Sequence, residues 1–388
     1  MRTGIATIPL DYGRCPKWLF ERMKKLAQAV IFVIVEEFGN EKLLQYLSDP
    51  VWFQSLGCLL GFDWNSSGLT TTTLGALKAG IFGLEKELGV FVCGGKGKTS
   101  RKTPDEIRNW GEILGLEKEK IERLIYYSKI TAKVDSALIQ AGFQIYHHNF
   151  IFTKEGKYVV IQQGMNEKLQ KARRYHWFSS KVKNFTEEPH SAIVSDVKVK
   201  ALNLVARESR KNKEISVELI REEPKIFLKD ITFLCEKSNF LIRQKRFSGF
   251  CEIELEDKEF RSHPILKEKF DLKRLKKTIE KVHFLEPKSF EEFLMTEGVG
   301  PKTIRALSLV AEIIYGAKAS FEDPARYSFA HGGKDGTPYK VKKKIYDKTI
   351  EVFEKGIEIS KISLKEKEKA KKRLWWQQKN LQREENFK

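Results

Sequence analysis

The sequence has few cysteines, and their spacing gives no sign of pairing. Cysteine occurs five times in 388 residues, an odd number, with wide separations and no Cys-x-x-Cys pair. Neither a disulfide framework nor a zinc knuckle is indicated, and we expect a reducing, cytoplasmic environment. The five are Cys15, Cys58, Cys93, Cys235 and Cys251.

Long hydrophobic runs are also missing. The longest apolar stretch, Ala29 to Val35, is far shorter than the roughly 18 residues of a membrane-spanning helix. Charged, helix-forming residues flank it rather than a cleavage site. We therefore expect neither a membrane span nor secretion.

Acidic residues are in the minority. The chain has 52 Asp and Glu against 71 Lys and Arg, a formal net charge of +19. Such a surplus favours a polyanionic partner, and nucleic acid is the first choice. A thermophile surface rich in ion pairs is the alternative, but it accounts for the number of charges and not for their sign.

The strongest functional signal is a glycine-rich link between two amphipathic helices near residue 300. Apolar residues recur at helical spacing before and after the run Gly298-Val299-Gly300-Pro301-Lys302-Thr303. We expect Gly298 and Gly300 to adopt backbone angles forbidden to other residues, and Pro301 to open the second helix. A bare helix N-terminus attracts phosphate. The run resembles the helix-hairpin-helix motif, which implies DNA-backbone binding; an ordinary helical turn is the alternative.

Two further segments carry basic residues suited to a phosphate backbone. The loop after Val90 contains Lys96, Lys98 and Arg101, but Val92 occupies the position where a P-loop needs glycine. We predict backbone contacts, or else a mobile solvated loop. The tail from residue 361 has ten Lys or Arg against four Glu and contains the pair Trp375-Trp376. It predicts stacking on exposed bases, or else a frayed charged helix.

A β-hairpin is predicted from Phe143 to Gln163, and polar residues cluster around it. Strict alternation places Ile145, His147 and Asn149 on one face and Tyr146, His148 and Phe150 on the other. Asp135 with His147 and His148 suggests a divalent-metal nuclease, yet the second strand offers Gln162 and Gln163 in place of a second carboxylate. A satisfied polar network is the alternative, and the cofactor stays undetermined.

We predict a mostly helical, multidomain α+β protein. Four regions are expected: an N-terminal helical region at 1–130, a small α+β region at 131–223, a helix-hairpin-helix domain at 224–340 and a basic helical tail at 341–388. Within the third region, Pro264 to His283 predicts a basic helix whose inward face carries Leu266, Phe270, Leu275 and Ile279.

Several motifs together resemble domain-of-unknown-function family 763 of thermophilic archaea and bacteria, over nearly the whole chain. The motifs are Gly-Phe-Asp-Trp-Asn-Ser-Ser-Gly-Leu69, Lys133-Val-Asp-Ser-Ala, Gln162-Gln-Gly-Met-Asn166, Arg173-Arg-Tyr-His-Trp177 and Tyr327-Ser-Phe-Ala-His-Gly-Gly333.

The hairpin run also resembles that of helix-hairpin-helix DNA glycosylases. That resemblance implies a nucleophilic lysine at Lys302 and a catalytic aspartate at Asp323. Three hypotheses therefore stay open: a glycosylase or lyase, a metal nuclease, and a non-enzymatic DNA-binding protein of genome maintenance.

Overall fold

The computed structural model describes residues 15–62, 67–237, 250–253, 268–325 and 343–385. Within these ranges the side chains at 235–237, 250–253, 268–269, 343–350 and 376–385 are not described. The helices are α1 (Lys17–Phe38), α2 (Asn40–Ser48), α3 (Pro50–Leu60), α4 (Ser67–Gly80), α5 (Glu85–Leu88), α6 (Thr103–Ile113), α7 (Lys118–Ala137), α8 (Arg210–Arg221), α9 (Pro224–Lys237), α10 (Leu272–Leu285), α11 (Phe290–Met295), α12 (Pro301–Ile313), α13 (Lys343–Ile359) and α14 (Leu364–Glu385). The strands are β1 (Val90–Lys96), β2 (Ile139–Gln140), β3 (Gln144–Thr153), β4 (Tyr158–Asn166), β5 (Lys171–Phe178), β6 (Ala192–Val194), β7 (Leu202–Asn203), β8 (Phe250–Ile253) and β9 (Glu268–Asp271).

A five-stranded antiparallel sheet in the order β1-β3-β4-β5-β6 lies at the centre of the fold. The predicted β-hairpin is formed by β3 and β4 in the middle of this sheet. Phe152 pairs with Tyr158 across its turn, in which Gly156 has a φ of 93°. The mostly helical α+β class and this hairpin are therefore confirmed.

Helices cover both faces of the sheet. Successive side chains of a strand point to opposite faces, and here both faces carry apolar side chains that need to be buried. Val92, Ile151 and Ile161 pack against α1 to α4, α13 and α14, which we call the terminal-helix layer. Phe150 and Trp177 pack against α6 to α12, which we call the hairpin layer. The sheet thus separates two hydrophobic cores.

The terminal-helix layer brings helices from both halves of the described chain together. Gly356 of α13 lies so close to α1 that an added Cβ would come within 2.8 Å of Val30 Cγ2. Leu374 of α14 is 3% exposed, and the Arg373 guanidinium donates to the Leu59 carbonyl. The four-region division stays a prediction, but packing crosses its boundaries at residues 130 and 341.

Strict alternation fails at one place in β3. A register shift between Ile145 and His147 marks a β-bulge, and Ile145 packs against the core of the hairpin layer. The Tyr146 hydroxyl instead accepts a hydrogen bond from Gln163 Nε2, which also donates to the Ser67 carbonyl of α4. Tyr146 therefore lies on the face of the sheet that is covered by α4. The predicted faces of Ile145 and Tyr146 are wrong because the extra residue of a bulge reverses the alternation.

The basic helix predicted from Pro264 begins only at Leu272, since β9 occupies 268–271 and residues 264–267 lie outside the described chain. Its predicted inward residues Phe270, Leu275 and Ile279 are buried. None of the described helices is long and apolar enough to cross a membrane.

Candidate functional site

The run from Gly298 to Thr303, which resembles a helix-hairpin-helix motif, lies where two helices are joined by a tight turn. Residues 296–300 connect α11 to α12, and Gly298 has a φ of 95°, a conformation that disfavours any side chain. Gly300 has a φ of −144° and a ψ of −176°, which is ordinary extended backbone. The expectation that both glycines need forbidden angles is therefore wrong for Gly300. Its lack of a side chain is not needed by the backbone and only leaves the space beside the turn open.

The N-terminus of α12 is open at the surface. Gly300 is its N-cap and supplies no side-chain hydrogen bond, while Pro301 occupies the first helical position. Pro301 and Lys302 are exposed, and an added Cβ on Gly300 would meet no protein atom within 4 Å. The partial positive charge of the helix end is thus available to an anion.

Core contacts hold this turn in place. Val299 is 2% exposed and packs in the core of the hairpin layer, and Thr303 is 6% exposed. The Gln140 amide donates to the Pro301 carbonyl at 2.9 Å. The Val299 side chain therefore anchors the turn, and only Gly298, Gly300 and Lys302 of the predicted contact residues are on its outer side.

A basic helix lies directly beside the hairpin. An added Cβ on Gly298 would lie 3.8 Å from Thr278 of α10, and Lys281 of α10 pairs with Glu297 at 2.6 Å. The Lys302 ammonium lies 5.9 Å from the centre of the Phe270 ring, just before α10. Sequence reasoning recognised α10 as basic but did not assign it to the interface. Its exposed cations are Lys273, Arg274, Lys276, Lys277 and Lys281.

Asp323 lies in a different environment from Lys302. Its Oδ2 accepts from Arg173 Nη2 at 2.6 Å and from the Val199 amide at 2.8 Å, and its Oδ1 accepts from the Ala325 amide. The side chains of Arg173 and Asp323 are 0% and 3% exposed. The carboxylate is therefore engaged inside the protein, whereas Lys302 is exposed on α12.

Asp135 belongs to a buried hydrogen-bond network on the side of the sheet that faces the hairpin layer. Its Oδ2 accepts from Gln162 Nε2 at 2.5 Å and from Trp177 Nε1 at 3.0 Å, and its Oδ1 lies 2.5 Å from His190 Nε2. Burial raises the pKa of Asp135, and the adjacent His190 imidazole opposes that rise.

The same network fixes the tautomer of His148. Because the Gln162 amide donates to Asp135, its Oε1 faces His148 Nδ1 at 2.9 Å, so Nδ1 carries the proton. His148 Nε2 then accepts from the Ser128 hydroxyl at 2.8 Å. The pair resembles a nucleophile and its base, but both side chains are buried and burial lowers the pKa of His148 to about 4. A satisfied structural network is the better interpretation.

His147 lies on the opposite side of the sheet. It is 1% exposed, and burial lowers its pKa to about 3. Within the described chain, no three His, Cys, Asp or Glu side chains are grouped so as to hold a metal ion. The sheet thus separates His147 from Asp135 and His148, and the nuclease hypothesis at the Asp135 and histidine region stays a prediction.

The other predicted contact residues lie on separate elements. Lys96 ends β1, and its ammonium lies 5.8 Å from the centre of the Tyr146 ring. Lys98 and Arg101 are exposed on a 3-10 helix, Gly97–Lys102, that follows it. Trp375 is 56% exposed on α14, and the Trp376 side chain lies outside the described residues. Their role in DNA binding stays a prediction.

Comparison with known proteins identifies a family. The family model described as "Protein of unknown function (DUF763)" matches residues 4–341. The chain belongs to this family. The resemblance seen in the sequence motifs is thereby confirmed, and the matched range includes the hairpin and both sides of the sheet. No curated protein and no solved structure matches the chain.

Proposed function

We propose that the protein is a non-enzymatic DNA-binding protein of genome maintenance that holds the DNA backbone at the turn between α11 and α12. The observation that carries this proposal is the open N-terminus of α12. It combines an uncapped helix end at Gly300, an exposed Lys302 and a turn fixed by the left-handed Gly298. Such a helix end binds phosphate oxygens without reading bases.

The charge around the turn supports the same ligand. Exposed Lys273, Arg274 and Lys277 lie on α10, which packs beside the hairpin, and the whole chain has a net charge of +19. Cations placed near a phosphate chain release its counterions on binding, so affinity falls as salt rises. Cys93, a buried free thiol, fits the reducing cytoplasm as the site of action.

A role in catalysis is not part of the proposal. A lyase would need a carboxylate beside Lys302, and Asp323 is held by Arg173, Val199 and Ala325 instead. Lys302 is therefore assigned to phosphate contact. DNA binding at the turn between α11 and α12 needs only the helix end and the side chains described above.

Fluorescence anisotropy of labelled duplexes tests the proposal. The full chain should bind two unrelated sequences equally, with an affinity that falls steeply with salt. Lys302→Ala should weaken binding several-fold and reduce the slope of log affinity against log salt by about one. Lys25→Ala is the matched control, because Lys25 is exposed on α1 in the other layer. If Lys302→Ala binds like the wild type, the hairpin is not the interface.

A further inference from the structure

A groove opens in the terminal-helix layer, on the side of the sheet opposite to the hairpin. Its volume is about 710 Å³, and it lies between α1, α13 and α14. Apolar side chains from all three helices line it, namely Phe32, Val33, Ile359, Leu374 and Trp375. The packing of α13 against α1, and of α14 against α13, therefore forms the groove.

Three of these apolar side chains are strongly exposed. Phe32 is 38% exposed, Ile359 is 50% exposed and Trp375 is 56% exposed, whereas Leu374 beneath them is 3% exposed. Apolar side chains gathered around one cavity are a feature of interaction sites, and exposed tryptophan is enriched among the residues that dominate binding energy.

The rim of the groove is acidic, against the charge of the whole protein. Four glutamates, Glu36, Glu37, Glu354 and Glu358, line it with two lysines, Lys355 and Lys371, so its local charge is −2 in a chain of net charge +19.

Both rim lysines are already neutralised by rim glutamates. Lys355 pairs with Glu37 at 2.6 Å, and Lys371 pairs with Glu358. Glu36 and Glu354 have no cationic partner within the described chain. These two carboxylates would repel the phosphates of a nucleic acid and attract a cation.

We propose that this groove docks an amphipathic helix of a partner protein, one that presents an apolar stripe flanked by lysine or arginine. Trp375, Ile359 and Phe32 receive the apolar stripe, and Glu36 and Glu354 pair with the flanking cations. An apolar groove that receives a helix face is a recurring mode of peptide recognition. Because the turn between α11 and α12 is on the other side of the sheet, the protein can bind DNA and this partner at the same time.

Designed peptides test the proposal because the groove is acidic while the whole protein is basic. The probes are three labelled peptides of about 18 residues: an amphipathic Leu/Lys helix, a Leu/Glu helix with the same apolar stripe, and a scrambled Leu/Lys peptide without a stripe. Anisotropy with the full chain should show the Leu/Lys helix binding at least about tenfold more tightly than either of the others. The net charge of +19 by itself favours the Leu/Glu helix.

Paired variants locate the binding to the groove. Trp375→Ala, and separately the double change Glu36→Gln with Glu354→Gln, should each weaken binding of the Leu/Lys helix about tenfold. The matched controls are Phe82→Ala, 83% exposed between α4 and α5, and Glu87→Gln on α5; both should bind like the wild type. Circular dichroism establishes that each variant is folded.

Other results overturn the proposal. These are tighter binding of the Leu/Glu helix, equal binding of the scrambled peptide, or no effect of either groove variant. A loss of duplex-DNA affinity in Trp375→Ala as large as the loss of peptide affinity would make Trp375 a base-stacking residue instead. Self-association of the wild type that Trp375→Ala abolishes would assign the groove to a second copy of this chain.

Discussion

Arg173 on β5 and Asp323 beyond α12 form an ion pair of 2.6 Å across 150 residues of sequence, with side chains 0% and 3% exposed. This pair joins the segment after the hairpin helices to the central sheet. A buried pair of this kind is destabilising to break, because removal of one charge leaves the other without compensation.

Asp323→Asn should therefore destabilise the fold by about 3 kcal/mol or more. The amide keeps one acceptor oxygen but places an NH2 donor where the other oxygen accepted, so the loss combines the charge with a hydrogen bond. Urea unfolding followed by circular dichroism measures the change. Glu297→Gln is the control, because Glu297 pairs with Lys281 at the same distance of 2.6 Å but is highly exposed, and it should have little effect.

DNA affinity gives a second measurement on Asp323→Asn at a temperature where the variant is folded. Binding should be close to that of the wild type, since Asp323 lies inside the protein, bonded to Arg173 and the Val199 amide. A variant of normal stability with altered DNA processing would instead restore Asp323 to a catalytic role.

The hairpin glycines should separate stability from DNA binding. Gly300→Ala should leave the melting temperature unchanged, because Gly300 is extended and has open space beside it, but should reduce duplex affinity several-fold by obstructing the phosphate. Gly298→Ala should lower both, since alanine at a φ of 95° is strained by about 1 kcal/mol.

Gly316→Ala provides the matched control for that strain. Gly316 also has a positive φ, 68°, with no neighbour within 4 Å, but it follows the far end of α12. It should lower the melting temperature as Gly298→Ala does and leave duplex affinity intact. Wild-type affinity in Gly300→Ala would contradict close approach of DNA at this turn.

Acidification should destabilise the protein through its buried histidines. Burial lowers the pKa of His148 to about 4 and that of His147 to about 3, whereas unfolded histidine titrates near 6.5. The unfolded state therefore binds more protons below pH 6.5, and stability falls as the pH falls. At pH 5 each imidazole should have lost about 2 kcal/mol of its contribution, and the loss from His148 ends below about pH 4.

Variants of the His148 pair test this assignment. His148→Gln should reduce the pH dependence of the free energy of unfolding between pH 7 and pH 5. Ser128→Ala removes the hydrogen bond to His148 Nε2 but not the titrating group, so it should lower stability while retaining more of the pH slope. Equal slopes for the wild type and His148→Gln would show that another group carries the effect.

Local sequence patterns correctly predicted those helices, strands and turns whose structure is determined by residues close together in the sequence. The two helices joined at Gly298 and the β-hairpin from β3 to β4 follow from spacing and turn residues, and both are present. Contacts over long sequence distances were not predictable in this way. The Arg173–Asp323 pair and the packing of Gly356 against Val30 depend on how the elements assemble.

Two local errors have equally physical causes. The bulge between Ile145 and His147 inserts a residue that no alternation pattern reveals, so it exchanged the predicted faces of Ile145 and Tyr146. Gly300 was expected to need a left-handed backbone because glycine permits one, yet glycine also occurs where space alone is required. The basic face of α10 was visible in the sequence, but its place beside the hairpin was not.

Hydrogen–deuterium exchange of the full chain, with and without a saturating duplex, tests the central claim most directly. If DNA docks on the open end of α12, amides at residues 296–303 and along α10 should exchange more slowly in the complex. Amides of α1 and α13 around the acidic groove should not change. Protection confined to residues 97–102 or to α14, with the hairpin unaffected, would contradict the proposal that this turn holds the DNA.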